Sequence, residues 1–122
     1  MNEQDPAANI TIHRIRDVLV VEVLSPDLDA RLGSVAAREG TEAMESIGIR
    51  LRGVVLDLTA VNFMNSGGLA ACIDVAKQAK RAGVGCVGAG LGEELERLIT
   101  VMKVESLIAI GGTRDEAIRS LA

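Results

Sequence analysis

The sequence predicts one α/β domain with a mixed sheet, in the element order ββαβαβαβα. Three observations lead there. Ile10 to Ile15 and Val18 to Leu24 are β-forming runs separated only by Arg16-Asp17, the pattern of an opening antiparallel hairpin. Val54-Val55-Leu56-Asp57-Leu58 is a short apolar run with one carboxylate, the pattern of a strand buried on both faces. From there helical and strand-like stretches alternate to the end of the chain, and strand–helix–strand connections join parallel strands. At 122 residues the chain has room for a single core. We place the domain over 10–122, behind a polar arm, 1–9, read as flexible.

In chain order, Ser25-Pro26-Asp27 stops the second strand. Between Asp29 and Ile47, Leu32, Val35, Ala36, Ala43, Met44 and Ile47 recur at helical spacing. Gly33 and Gly40 interrupt that pattern, leaving open one helix or two pieces. The central strand, entered from Gly53, leads to the turn around Ser66, after which Leu69, Cys72, Ile73, Ala76 and Ala79 form an apolar stripe. Asp74, Lys77, Lys80 and Arg81 are left for water. Gly83 suits a left-handed cap at the end of this helix. Val84 to Ala89 reads as the next strand. A helix over Glu93 to Met102 carries Leu95, Leu98, Ile99 and Met102 on one face and acidic residues in its first turn. Leu107 to Ile110 is a last short strand, and Thr113 with Glu116 form a capping box that starts the terminal helix.

Composition excludes several function classes. Phe63 is the only aromatic residue and the formal charge is -4, so the chain lacks the stacking platforms and basic surface of a single-strand nucleic-acid binder. No apolar run is long enough to span a bilayer and Met1 to Asn9 is not signal-like, which points to a cytoplasmic protein without direct membrane insertion. Cys72 and Cys86 fall at core-facing positions, and with His13 the sole histidine they make a poor metal site. Gly83 to Gly88 spells GxGxxG, but it starts at a helix end and fills a strand, where it cannot present a helix N-terminus to a pyrophosphate. Gly88 to Gly92 lies between a strand and a helix and could hold an anion on its amides; a plain turn is the simpler reading.

The remaining candidate is the turn itself. Asn65 and Ser66 both have side chains that cap a helix, and Gly67-Gly68 permits close backbone approach, so Ser66 should stand exposed at the tip of a rigid element. A serine nucleophile needs a base oriented by an acid, and His13 on the opening hairpin is poorly placed for that. Residue physics alone leaves Ser66 equally a helix cap and a functional group. Asp57, inside an apolar run, needs a hydrogen-bond partner or the strand end, and is read as structural.

The run from Leu56 to Gly83 resembles the signature of STAS domains, in particular the bacterial anti-sigma factor antagonists. The matching residues are Asp57, Phe63, Met64, Ser66, Gly68, Leu69 and Gly83. The resemblance implies a non-enzymatic switch without a cofactor. In that family the serine matching Ser66 is phosphorylated by a partner that is both an ATPase-type kinase and an anti-sigma factor, and a phosphatase can reset it. The unphosphorylated form binds the partner and frees the sigma factor. The implied contact surface is Asn62, Met64, Asn65, Ser66, Gly67, Gly68 and Leu69, with Asp74 and Lys77 on the following helix. Two positions depart from the pattern: Asn65 stands where the family usually has aspartate, and Gly67 replaces a hydroxyl residue. The alternative expectation is a scaffold or adaptor subunit of a stress-sensing or lipid-transport assembly, a stable homo-oligomer not switched by phosphorylation. A transporter tail is disfavoured by the start at Met1 with no membrane segment.

Overall fold

The computed structural model describes residues 6–122. The first five residues of the expected arm lie outside them, and Pro6–Asn9 forms a 3-10 turn whose Asn9 carbonyl accepts from Leu24 N–H at 2.8 Å. Strands β1 (Ile10–Ile15) and β2 (Val18–Val23) pair antiparallel around Arg16 and Asp17, both at positive φ. Two central residues of that kind make a tight hairpin whose twist matches the strands. Arg14 anchors it from the side, at 2.7 Å from the Asp17 carboxylate.

Strands β3 (Asp27–Leu28), β4 (Gly53–Asp57), β5 (Phe63–Met64), β6 (Gly85–Ala89) and β7 (Ala109–Ile110) follow, interleaved with helices α1 (Ala30–Ile47), α2 (Ser66–Arg81), α3 (Glu93–Val101) and α4 (Arg114–Leu121). The main sheet has the order β1-β2-β4-β6-β7, parallel from β2 onward. β3 and β5 pair parallel in a separate two-stranded sheet. Setting that pair aside, the order is the one expected. Val54 to Asp57 are all buried, as a strand covered on both faces requires. On one face Leu19, Val21, Val54 and Leu56 pack with Leu32, Met44, Leu69, Val75 and Leu95 from α1, α2 and α3. On the other, Val18, Val20, Val55 and Val87 meet Ala117 and Ile118 of α4. Each fully buried valine or leucine contributes about 1.5–3 kcal/mol.

One reading left open is resolved, and two element limits need correction. The helix expected from Asp29 is one piece, with Asp29 outside it as the cap that accepts from Leu32 N–H at 2.9 Å. Neither glycine breaks it, and Gly33 answers a packing demand. A Cβ at Gly33 would lie 2.5 Å from the Ala71 Cβ, so α1 and α2 touch nearly backbone to backbone. The last strand shrinks to Ala109–Ile110, since the Leu107 and Ile108 amides both donate to the Val104 carbonyl at 2.9 Å in a turn instead of pairing. Met102 follows Leu95 and Ile99 at helical spacing but is exposed, because α3 ends at Val101 and Met102 is only its C-cap. Other expectations hold: Gly83 takes φ +82 and the Thr113–Glu116 capping box is formed. The Thr113 amide and hydroxyl hold the exposed Glu116 carboxyl below its usual range, so that cap is complete at neutral pH and lost as pH falls through the depressed value.

Burial pushes both Cys72 and Cys86 up from an ordinary thiol value near 9 to about 12. The folded state therefore resists forming either thiolate. Below about pH 9 the two thiols add no pH dependence; between about 9 and 12 the unfolded chain releases protons that the folded chain keeps, so stability falls. Chemical unfolding across that range should show the decline, and Cys72→Ala/Cys86→Ala should flatten it. In the native protein at pH 8 neither thiol should react with a disulfide reagent until denaturant is added.

Among the described residues, no helix is long and apolar enough to cross a membrane.

Candidate functional site

The turn after β4 is built outward from the sheet. Asn62 and Phe63 N–H both donate to the Pro26 carbonyl, at 2.7 and 3.0 Å, and Asn65 N–H donates to Leu28 at 3.2 Å. These bonds form the small β3–β5 sheet and fix the entry into α2. In that sheet Leu28 and Met64 turn inward while Asp27 and Phe63 face solvent. Asn65, rather than Ser66, is the cap: its Oδ1 accepts from Gly68 N–H at 2.9 Å. Ser66 is the first residue of α2, exposed, with its hydroxyl not spent on capping. The substitution of asparagine for aspartate therefore preserves the cap and removes only a charge.

The glycines bring the tip close to its support. A Cβ on Gly67 would stand 2.5 Å from Ala30 Cβ, and one on Gly68 would fall on the Leu28 carbonyl oxygen. Ser66 is thereby held on a backbone wedged between α1 and β3. A phosphoryl group there would meet the positive end of a 16-residue helix.

Of the expected contact residues, Asn62, Asn65, Ser66, Asp74 and Lys77 are exposed, and Gly67 is half-buried. Met64, Gly68 and Leu69 are buried. Met64 and Leu69 are core residues and Gly68 lies against Leu28, so these three shape the surface from beneath. Phe63 was expected only as part of a motif, yet it is 59% exposed beside Asn62. The outward register of a two-residue strand gave no period from which to read this.

Asp57 is the one buried charged residue among the described residues, 4% exposed at the end of β4. Its Oδ1 accepts from both the amide and the hydroxyl of Thr59, and Arg114 Nη1 stands 3.4 Å from its Oδ2 and 3.5 Å from Glu22. His13 lies 2.9 Å from Glu22. Thus the only histidine is engaged on the sheet face that carries α4, and Asp57 ties α4 to the strand that leads into the turn. Asp57 thus has the hydrogen-bond partners that a carboxylate in an apolar run needs; its cation, 57 residues away, was not foreseeable. Arg114→Met should cost about 1–3 kcal/mol by leaving Asp57 without its cation. Adding Asp57→Asn should recover part of that loss in a thermal-melt cycle, whereas additive losses would show that the pair is uncoupled.

Gly88 to Gly92, the other candidate loop, is tied into the fold at its middle residue. Gly90 takes φ +71, its N–H donates to Gly112 at 2.9 Å, and Thr59 leaves no space for a side chain there.

Comparison with known proteins follows the same lines. The STAS domain model matches residues 9–117. Among solved structures, the chain is similar to an anti-sigma-factor antagonist (STAS) domain protein from Planctomyces limnophilus, with TM-score 0.80, 19% identity and coverage of 93% of this chain and 97% of that one. It is also similar to an anti-sigma factor antagonist from Mycobacterium paratuberculosis, with TM-score 0.65, 24% identity and 92% of each chain covered. A third likeness is to the Bacillus cell fate determinant SpoIIAA in its phosphorylated form, with TM-score 0.71, 11% identity and coverage of 93% and 99%. At these identities the likeness is one of fold. No curated protein sequence matches the chain.

Proposed function

This chain belongs to the STAS domain family, and from that membership we propose that it is a partner-switching module of the anti-sigma factor antagonist type. It acts in the cytoplasm by binding rather than by catalysis. Unphosphorylated, it docks on an anti-sigma factor that is also an ATPase-type serine kinase; phosphorylation of Ser66 ends that contact and a phosphatase restores it. One observation carries the reading: Ser66 is exposed at the first position of α2 while Asn65 does the capping. A serine needed only for the fold would be the cap. Here the hydroxyl is free for transfer, and the helix end tolerates the charge that transfer adds, about -1.5 to -2.

Asn65 favours a second reading. Without the acidic residue usual before the serine, Ser66 can be a weak kinase substrate, and the domain then serves as a constant binder or homo-oligomeric scaffold. Phosphopeptide mapping of the chain purified from its native cell separates the two. Occupancy at Ser66 supports the switch; an unmodified Ser66 under every growth condition, in a chain that elutes within a large assembly, supports the scaffold.

A further inference from the structure

The surface beside Ser66 continues onto α3. Two adjoining depressions, about 340 and 250 Å3, share Asn62, Glu94 and Leu95; the second reaches Phe63 and Leu98. Beyond Leu98, Val101 and Met102 are 66% and 54% exposed, three and four residues along the same side of the helix. Phe63, the single aromatic residue, is thus in water at the edge of this groove, with Val101 and Met102 exposed further along α3 and outside the lining of either depression. Such a patch on a soluble domain marks an interaction site. Its rim is acidic. Asp27 is paired with Phe63 across the small sheet and also faces solvent, while Glu93 and Glu94 open α3 on the other side. Arg97 and Lys103 are exposed but line neither depression, whereas Glu93 and Glu94 do.

We propose that this groove receives a basic amphipathic segment of the protein partner, with an apolar side chain seated on Phe63 and Leu98 and lysine or arginine against Asp27, Glu93 and Glu94. The proposal names the partner's chemistry and extends the docking surface from α2 to α3; it rests on the binding reading above but not on phosphorylation. Charge complementarity selects this occupant: a second copy would bring the same carboxylates to face one another, which opposes pairing.

The test titrates the isotope-labelled full chain with two synthetic helical peptides that share a leucine stripe and carry lysine or glutamate on the polar face. The lysine peptide should shift the amides of Phe63, Glu94, Leu98 and Val101 and leave Ile49 alone, with binding that weakens as salt is raised. The glutamate peptide should bind at least about tenfold more weakly, and Phe63→Ser and Glu93→Lys/Glu94→Lys should each weaken the lysine peptide by at least about tenfold. Equal binding of both peptides, shifts centred elsewhere, or indifference to these variants overturns the proposal. So does a wild-type dimer in sedimentation that Phe63→Ser dissociates, which would make a second copy the occupant. Because no arm involves Ser66 chemistry, an unphosphorylated Ser66 with a functioning groove would sink the switch alone.

Discussion

Ser66→Asp is expected to weaken binding of the kinase partner by several hundredfold while leaving the domain folded. The two halves of that expectation have different causes. Within the chain the new carboxylate sits in the first turn of α2, where a negative charge is stabilised by about 0.3–1 kcal/mol, and Ser66 is exposed, so no contact is lost. The melting temperature should hold or rise slightly. Against a docked partner the same charge is unfavourable wherever an acidic group comes near: two like charges ~4 Å apart at an effective dielectric of ~20 repel by about 4 kcal/mol. That corresponds to nearly three decades in affinity. Ser66→Ala should bind as wild type does, because the hydroxyl is not part of the cap. Titration calorimetry with the purified partner, paired with a melt of each variant, reads both halves. An aspartate variant that binds within a few fold of wild type would remove the electrostatic basis of the switch.

Gly68→Ala should show the opposite pattern, a large loss of stability with no new charge. The added methyl would fall on the Leu28 carbonyl oxygen, with the Leu28 carbonyl carbon at 2.9 Å and Met64 Cγ at 3.0 Å. The obstacle is backbone, held by the Asn65-to-Leu28 hydrogen bond, so relief requires α2 to move away from β3. Overpacking of this kind costs about 3 kcal/mol, or roughly 10 °C in melting temperature for a domain of this size. Gly40→Ala is the control. Its Cβ would meet only Val21 Cγ2, at 3.4 Å, inside α1, where alanine is the better helix former by about 1 kcal/mol. If Gly68→Ala melts within about 2 °C of wild type, the wedge is not what fixes Ser66.

What could be read in the sequence follows from what carries a period or a local rule. The β-branched run at Val54, the apolar stripe of α2, the left-handed Gly83 and the Thr113 box are local features, and each is found where local physics puts it. The misreadings arise where a residue's role is set by a distant neighbour. Gly33 signals a helix break in isolation, and only the approach of Ala71 turns it into a packing residue. Asp57 showed its need for a partner but not that Arg114 would answer it. In the site, Asn62, Asn65, Ser66, Asp74 and Lys77 are exposed, where polar side chains belong. Phe63 faces solvent and Met64 the core, an orientation the motif did not specify. Both are apolar, and a two-residue strand offers no alternation to decide which one turns inward. Val101 lies off the row of Leu95 and Ile99, so helical spacing could have disclosed its exposure, whereas Met102 lies on that row and is exposed only because α3 ends at Val101.

The most direct test of the switch is recovery of partners from the native cell on wild-type, Ser66→Ala and Ser66→Asp baits, with mass spectrometry of the partners and of Ser66. The account predicts that wild type and Ser66→Ala retain an ATPase-type kinase that Ser66→Asp loses, and that a fraction of wild-type Ser66 is phosphorylated. The same large assembly on all three baits, with Ser66 unmodified, would contradict it.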